Sequence, residues 1–264
     1  MLWNSLTMRF ALAVPCVECA PLPGPVSGIP RGTPMMLTAY RDGPCYEMRC
    51  PAGHTSLMVL GNPKYEILFQ IGANAIVDGY YREAVVSFTS SLERFQEFAV
   101  QCLLSNSEVP EEKVEEARKR VAKQSERQLG AFIFLWLNRF LTLPPLLSDG
   151  DYSFRNKVVH DGMIPTRAST LDYGNKILRI IQSSMRLLKG MLSEAVLTVS
   201  YRNNKAAIEQ SRLGNPSISM ADGTILKHVE SADNTIRLEE YLPMLVDVQT
   251  LLASVAERFP QTPN

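Results

Sequence analysis

Residues 62–106 read NPKYEILFQIGANAIVDGYYREAVVSFTSSLERFQEFAVQCLLSN. Asn62 and Pro63 supply a helix N-cap and a proline at the first helical position, and no further proline interrupts the segment. Apolar residues then recur at the three- and four-residue spacing of a helix: Ile67, Leu68, Ile71, Ala75, Ile76, Ala84, Val85, Phe88, Leu92, Phe95 and Phe98. The pattern predicts one long helix, or two helices that break near Asp78-Gly79.

A further helix is predicted to begin at Pro110. Its first half, residues 111–120, places acidic residues before basic ones, as the helix dipole favours, and is typical of a solvated surface. Its second half contains Ala131–Leu137 (AFIFLWL), which is apolar on every face. This segment therefore predicts burial in the core or against a partner chain, and we expect a homodimer.

Two helices are predicted after a break that contains Pro144-Pro145. The first is short, runs from Tyr152 to Met163 and stops before Pro165, because a proline disfavours helical geometry in the residue that precedes it. Thr166 is then expected to cap a long helix that extends through Val196.

The C-terminal part of the chain, residues 201–264, is predicted to be an extension that packs on the helical body. Turn residues punctuate its first forty positions, where Ile225–Val229 could form one strand of a hairpin that turns at Asp222-Gly223. A final helix is predicted from about Pro243 to Phe259.

The length of 264 residues suits one main domain with a small appendage. We predict an N-terminal segment (1–61), a helical domain (62–200) and the C-terminal extension. Because 27 basic residues balance 27 acidic ones, any binding site for a polyanion must be local. No apolar run approaches the roughly 18 residues that span a bilayer, and the N-terminus does not resemble a signal peptide. We expect a cytoplasmic protein that does not enter the membrane.

Four of the five cysteines lie before residue 51, and two closely spaced pairs stand out among them. Cys16-Val-Glu-Cys19 is a CxxC motif, and Cys50-Pro-Ala-Gly-His54 forms the second pair about thirty residues later. Short pairs of this kind form knuckles that each supply two corners of a tetrahedral metal site. The spacing predicts a small β zinc ribbon in which Cys16, Cys19, Cys50 and His54 hold a structural Zn²⁺. The predicted strands are residues 35–40, 46–49 and 55–60.

Other interpretations of these cysteines remain open. Cys45 could replace His54 as the fourth ligand, and a disulfide or unrelated buried thiols could explain the clustering. A CxxC motif can also be a redox couple, but such a couple should open a helix in a βαβ unit, and here proline and glycine surround the motif.

The segment Phe154–Pro165 reads FRNKVVHDGMIP and contains an arginine, a polar residue and a histidine in the order Arg155, Asn156 and His160. This R-x4-H pattern resembles that of the HEPN family, which comprises α-helical domains associated with nucleic acids. The pattern alone is common, since Arg49 and His54 match it too. The stretch Ile71–Ala84 also resembles the first long helix of these proteins, so the resemblance covers roughly residues 63–200.

The resemblance implies a helical bundle, a homodimer and RNA cleavage without a catalytic metal. In this reaction a ribose 2′-hydroxyl attacks the adjacent phosphate. His160 would accept and donate the protons of the reaction, and Arg155 would stabilise the charged phosphate. Asn156 would orient either the His160 imidazole or the phosphate. The RNA would be a partner of the site, and the activity would belong to stress response or antiviral defence.

Alternative functions are also open at this level. His160 could be a structural histidine, and Arg155 could form a surface ion pair with Asp151 or Asp161. The domain would then be a non-catalytic adaptor that binds nucleic acid or protein, or a regulatory partner in a toxin or defence system. The sequence contains no glycine-rich phosphate loop and no serine nucleophile motif that would favour another class of enzyme.

Overall fold

The chain is mainly helical, as the apolar spacing predicts, and carries two small antiparallel sheets near its N-terminus. A computed structural model describes residues 11–16, 18–19, 35–43, 45–105, 107, 109–121, 124–209, 224–226 and 237–258. The strands are β1 Ala11–Pro15, β2 Met35–Ala39, β3 Cys45–Arg49 and β4 Thr55–Val59. The helices are α1 Lys64–Val77, α2 Tyr81–Ser105, α3 Glu111–Val121, α4 Ser125–Phe140, α5 Asp149–Val159, α6 Arg167–Glu209 and α7 Leu238–Arg258.

The chain divides into two compact units. We call Met1–Gly61 the N-terminal unit, with which Asn204–Ala221 and Pro243–Asn264 are grouped. The helical unit comprises Asn62–Asn203 and Asp222–Leu242. No helix in the described part of the chain is both long enough and apolar enough to cross a membrane.

Two β-hairpin-like pairs make up the described part of the N-terminal unit. β1 pairs with β2 and β3 pairs with β4, both antiparallel, and β2 also contacts β3. Side chains alternate along β3, so that Tyr46 and Met48 are buried while Glu47 and Arg49 face solvent. The three predicted strands are confirmed, whereas β1 is an additional strand that the sequence did not predict.

The break between α1 and α2 falls where the sequence predicts it. Asp78 caps the end of α1, and Gly79 adopts φ +82°, a left-handed geometry that glycine accommodates without strain. The two helices then pack against each other along most of their length. Phe88 of α2 is fully buried beside Gly72 of α1, where no side chain larger than hydrogen fits.

The helix predicted from Pro110 is two helices, because its two halves have different surroundings. No side chain of α3 is buried, whereas α4 buries Gln128, Phe132 and Trp136. Gln124, between the helices, has the extended backbone angles φ −137° and ψ 110°. The change of direction lets α4 pack against α2 while the charged α3 remains solvated.

The prediction that Ala131–Leu137 is buried on every face is wrong for the single chain. Phe132 and Trp136 are buried, but Phe134 is 73% exposed and Leu137 is 38% exposed. The two buried aromatics are four positions apart, so they share one side of α4 and leave the opposite side to solvent.

Helix α5 begins at Asp149, three residues before the predicted start. Ser148 and Asp151 form a capping box in which each side chain accepts from the other residue's backbone N–H. The helix ends at Val159, with His160 as its C-cap and Gly162, two residues further on, at φ +73°. His160 therefore closes the helix instead of lying within it.

The long helix α6 is capped by Thr166, as predicted. The Thr166 hydroxyl accepts from the Ser169 N–H at 3.2 Å, and the Ser169 hydroxyl accepts from the Thr166 N–H at 3.1 Å. The helix extends to Glu209, beyond the predicted region, and bends at Leu192, whose φ of −139° is not helical.

Two expectations about the C-terminal region are wrong. Helix α7 begins at Leu238, not at Pro243, because the Leu238 N–H donates to the Asn175 side chain at 2.7 Å and is thereby capped from another helix. Ile225 and Leu226 are helical, not extended, and the Ile225 N–H donates to the Gln70 side chain at 3.0 Å instead of to a partner strand. The rest of the predicted hairpin lies outside the described residues.

Candidate functional site

The four predicted metal ligands come from the ends of the short strands of the N-terminal unit. Cys16 directly follows β1, and Cys19 lies in the turn after it. Cys50 directly follows β3, and His54 directly precedes β4. The two strand pairs thus bring together residues that are up to 38 positions apart in the chain.

The turn between β3 and β4 has the backbone geometry of a metal-binding knuckle. The Cys50 N–H donates to the His54 carbonyl at 3.0 Å, and the Gly53 N–H donates to the Cys50 carbonyl at 2.9 Å. Gly53 adopts φ +91°, which explains why glycine occupies this position. The turn points the Cys50 sulfur and the His54 ring to the same side.

The ligand atoms are spaced like the corners of a tetrahedron. The Nδ1 atom of His54 lies 3.2 Å from the sulfur of Cys19, 3.5 Å from that of Cys50 and 3.7 Å from that of Cys16. The sulfurs of Cys19 and Cys50 are 3.7 Å apart, and all four ligand atoms lie within 4.8 Å of one another. Zinc bonds of about 2.3 Å to sulfur and about 2.0 Å to nitrogen give tetrahedral edges of roughly 3.5 to 3.8 Å. The four residues could therefore hold one metal ion.

Burial and hydrogen bonding make this a thiol-rich, partly desolvated pocket. Cys16 and Cys50 are buried, while Cys19 and His54 are half-buried. Burial and the neighbouring thiols of Cys16 and Cys50 raise the pKa of Cys19 to about 12. Burial also acts to raise the pKa of Cys50, but the backbone amides of His54 and Ala52 and the nearby thiols outweigh it, so this pKa falls to about 7. A metal ion held by these residues would supply the positive charge that stabilises their thiolate forms.

The alternatives for the cysteines can be compared with this geometry. All five cysteines are free thiols, and the 3.7 Å between the Cys19 and Cys50 sulfurs is far longer than the roughly 2.05 Å of a disulfide bond. Cys45 lies on β3 opposite Val59 and does not belong to the ligand cluster. Cys102 is buried in α2, where burial raises its pKa to about 12.

The second predicted site lies at the C-terminal end of α5, in the helical unit. One terminal nitrogen of Arg155 donates to the Asn156 side-chain oxygen at 3.0 Å and lies 3.4 Å from the His160 Nε2 atom. A guanidinium only donates, so this contact uses Nε2 as an acceptor. Asn156 and His160 are exposed and Arg155 is half-buried, so the three polar groups meet at the surface.

The acidic partner of Arg155 is Glu93 of α2, which the sequence did not predict. The second terminal nitrogen of Arg155 lies 3.4 Å from a Glu93 carboxylate oxygen, and both side chains are about one quarter exposed. Asp151, one of the two predicted partners, instead pairs with Lys176 at 2.7 Å. The ion pair with Glu93 links α5 to α2 and fixes the direction of the guanidinium.

A pocket of about 170 Å³ opens beside Arg155 and Asn156. Helix α2 contributes Thr89, Leu92, Glu93 and Gln96 to its wall. The remaining lining residues come from α4, the segment before α5, α5 and α6: Ser125, Glu126, Leu129, Leu147, Tyr152, Arg155, Asn156 and Tyr173. Three leucines and two tyrosine rings give the pocket apolar walls, and the other seven lining residues bring polar or charged groups to it.

The α2 residues of this site carry a weak sequence signal. Thr89, Glu93 and Gln96 recur at helical spacing, and they place polar side chains beside the buried residues of α2. Nothing in the sequence relates them to Arg155, because the contact depends on how α5 packs against α2.

Comparison with known proteins identifies no relative for this chain. No protein-family model matches it, and no significant match occurs among curated proteins or solved structures.

Proposed function

We propose that the helical unit is a HEPN-type endoribonuclease that cleaves RNA through attack of the 2′-hydroxyl on the adjacent phosphate. The observation that supports this proposal best is the contact of Arg155 with both Asn156 and His160 at an exposed helix end. The resemblance of Phe154–Pro165 to the HEPN motif supports the same assignment.

The roles of the three residues follow from their chemistry. His160 takes the proton of the attacking hydroxyl and returns a proton to the leaving oxygen, since imidazole can do both near neutral pH. Arg155 donates two hydrogen bonds to the phosphate as negative charge develops. Asn156 holds the guanidinium in place through its side-chain oxygen. Because DNA lacks the 2′-hydroxyl, it is not a substrate.

The test compares wild type with His160→Ala on a single-stranded RNA and on DNA of the same sequence, in EDTA. Loss of proton transfer should lower the rate of RNA cleavage by about 10² to 10⁴, and DNA should remain intact. Ser153→Ala, an exposed change on the same helix, is the matched control and should retain activity. Equal cleavage by wild type and His160→Ala would reject this assignment.

For the N-terminal unit, we propose that the bound metal is a structural zinc. Three cysteines and one histidine form a closed ligand set with tetrahedral spacing, which is typical of structural zinc sites. Such a metal stabilises a small segment whose strands are each only five residues long.

We also propose a homodimer formed through an apolar surface at the end of α4. This surface comprises Phe134, Leu137, Leu141, Leu143 and Leu146. Leu141 and Leu143 are 83% and 69% exposed, and exposed apolar clusters of this kind mark association sites.

Sedimentation at micromolar concentration should give twice the 29.5 kDa chain mass, and Phe134→Lys should give a monomer. Lys113→Glu, an exposed change on α3, is the control and should remain dimeric. A wild-type monomer at that concentration would contradict the dimer.

The same surface favours a second candidate function, that of a non-catalytic adaptor. In that case the helical unit binds a partner protein through α4, and Arg155 serves the fold through its ion pair with Glu93. A wild type that cuts no RNA but forms a stable complex through the α4 surface would favour the adaptor.

A further inference from the structure

The pocket beside Arg155 contains a buried polar side chain that the fold does not use. Gln96 is only 5% exposed as a residue, and its amide forms no hydrogen bond with any residue in the described part of the chain, but its polar atoms are not sealed from solvent. Because these atoms reach the pocket, water can satisfy them, and a ligand with matching groups can take the place of that water. Gln96 lines the pocket and can offer both an N–H donor and a carbonyl acceptor to a ligand.

Other polar groups at the bottom of the pocket are already occupied. The Thr89 hydroxyl donates to the Val85 carbonyl at 2.8 Å and must therefore accept from the Tyr173 hydroxyl, which lies 3.0 Å away. Both hydroxyls thus direct their protons to protein atoms. Gln96 differs from them because its amide remains available to a ligand.

The rim of the pocket adds an aromatic face and an excess of acceptors. The half-buried Tyr152 ring offers a surface on which a planar group can stack. Glu93 and Glu126 contribute carboxylates, which only accept hydrogen bonds when ionised. A planar ligand with N–H donors on its edge would match the ring and the carboxylates.

We infer that this pocket binds the nucleobase next to the cleaved phosphate and selects an amino-bearing base, namely adenine, guanine or cytosine, over uracil. This inference rests on the proposed ribonuclease function. The volume of 170 Å³ is smaller than the roughly 300 Å³ at which pockets for whole small-molecule ligands begin, so it suits one ring system and not a complete nucleotide.

The pocket lies in the right place for this role. Arg155 and Asn156 line it, and Arg155 also contacts His160, so the base and the reacting phosphate would lie on two sides of the same guanidinium. Gln96 and Glu126 would read the exocyclic amine and the ring nitrogen beside it, while Glu93 stays paired with Arg155. Uracil would instead present carbonyl oxygens to the carboxylates, which repel them.

The experiment measures binding and cleavage separately. Binding of the four nucleoside 3′-monophosphates to the full chain is measured by calorimetry, and cleavage is measured on RNAs that vary only the base on the 5′ side of one scissile bond. We expect uridine 3′-monophosphate to bind most weakly. Gln96→Leu, which keeps the side-chain size, should reduce the discrimination against uridine by roughly tenfold or more. Tyr152→Phe retains the ring and should preserve the discrimination against uridine better than Gln96→Leu does.

Circular dichroism and thermal melting establish whether Gln96→Leu is folded, and if it is not, Gln96→Met is measured in its place. Equal binding of all four nucleotides by wild type, or unchanged discrimination in the folded Gln96 variant, would overturn the base pocket. Base-selective binding without cleavage of any RNA would reject only the ribonuclease and leave the pocket intact. Cleavage of RNA without base preference would reject the base pocket and leave the ribonuclease intact.

Discussion

The two candidate sites are assembled in opposite ways. The candidate metal ligands lie at positions 16, 19, 50 and 54 and meet only because two strand pairs bring their ends together. Arg155, Asn156 and His160 lie within six consecutive positions, at the end of one helix. A helix places residues four positions apart on the same side, whatever their function.

The two arrangements therefore differ in how strongly they indicate a functional site. Four ligand atoms from separate segments rarely come within 4.8 Å of one another in tetrahedral spacing by chance, so their convergence is itself evidence of a metal site. The convergence at α5 carries less information, because helix geometry would produce it in a structural protein as well. Independent evidence there comes from α2, which supplies Glu93 to Arg155 and the buried, unbonded Gln96 to the adjoining pocket.

The largest expected effect is at the metal site. Cys16→Ser should abolish binding of the metal, and elemental analysis should fall from one zinc per chain to none. Structural zinc contributes about 10 to 16 kcal/mol of apparent binding free energy to small domains, so the N-terminal unit should also lose its strand structure. Loss of this unit need not unfold the helical unit, which has its own buried core.

Cys102→Ser is the matched control for this prediction. Cys102 is a buried thiol of α2 that lies outside the ligand cluster, so its replacement should leave the zinc content at one per chain. A disulfide between Cys16 and Cys50 in protein prepared under reducing conditions would contradict the metal site. A different metal at full occupancy would retain the ligand set and revise only the identity of the ion.

The next effect tests whether the α5 geometry is functional or structural. Arg155→Ala should weaken RNA binding by roughly tenfold, since a hydrogen bond to a charged group contributes about 1.5 to 3 kcal/mol. Arg155→Lys should restore binding better than turnover, because lysine keeps the charge but loses the planar pair of donors. Filter binding and single-turnover cleavage measure the two quantities.

Glu93→Gln separates the two interpretations of Arg155. If Arg155 binds phosphate, removal of the competing carboxylate should strengthen RNA binding. If Arg155 only joins α5 to α2, Glu93→Gln and Arg155→Ala should destabilise the fold to a similar, small extent and leave RNA binding unchanged. The second result would favour the adaptor.

Much of this architecture follows from short-range patterns in the sequence. Cys16-x-x-Cys19 and Cys50-x-x-x-His54 identify the ligand set because each knuckle is a local turn, and Gly53 marks the left-handed position of the second one. The break at Gly79 and the Thr166 cap are also local features, and both predictions are confirmed.

Features that depend on distant contacts could not be predicted in this way. β1 exists through its pairing with β2, in which Pro15 lies opposite Met35. The start of α7 depends on the Asn175 side chain of α6, and the environment of Arg155 depends on Glu93 of α2. In each case the partner is more than 15 residues away, so no local spacing identifies it.

The smallest expected effect on either candidate site comes from changes in the buried core of the helical unit. A β-carbon added at Gly72 would lie 2.7 Å from the Phe88 ring, and one added at Gly174 would lie 2.8 Å from it. Phe88 is fully buried, so it cannot move away without disturbing α1 and α6. Gly72→Ala should therefore destabilise the helical unit by about 1 to 3 kcal/mol, the usual cost of overpacking.

Gly130→Ala provides the matched comparison, because nothing lies within 4 Å of the added β-carbon in the middle of α4. Here alanine only improves helix propensity, and stability should rise by about 1 kcal/mol. Urea unfolding followed by circular dichroism measures both changes, and the zinc content should be the same in both variants and in wild type. A Gly72→Ala variant that is stabilised as Gly130→Ala is would contradict the close packing of α1, α2 and α6 around Phe88. It would also contradict the position of α2, which places Glu93 and Gln96 beside Arg155.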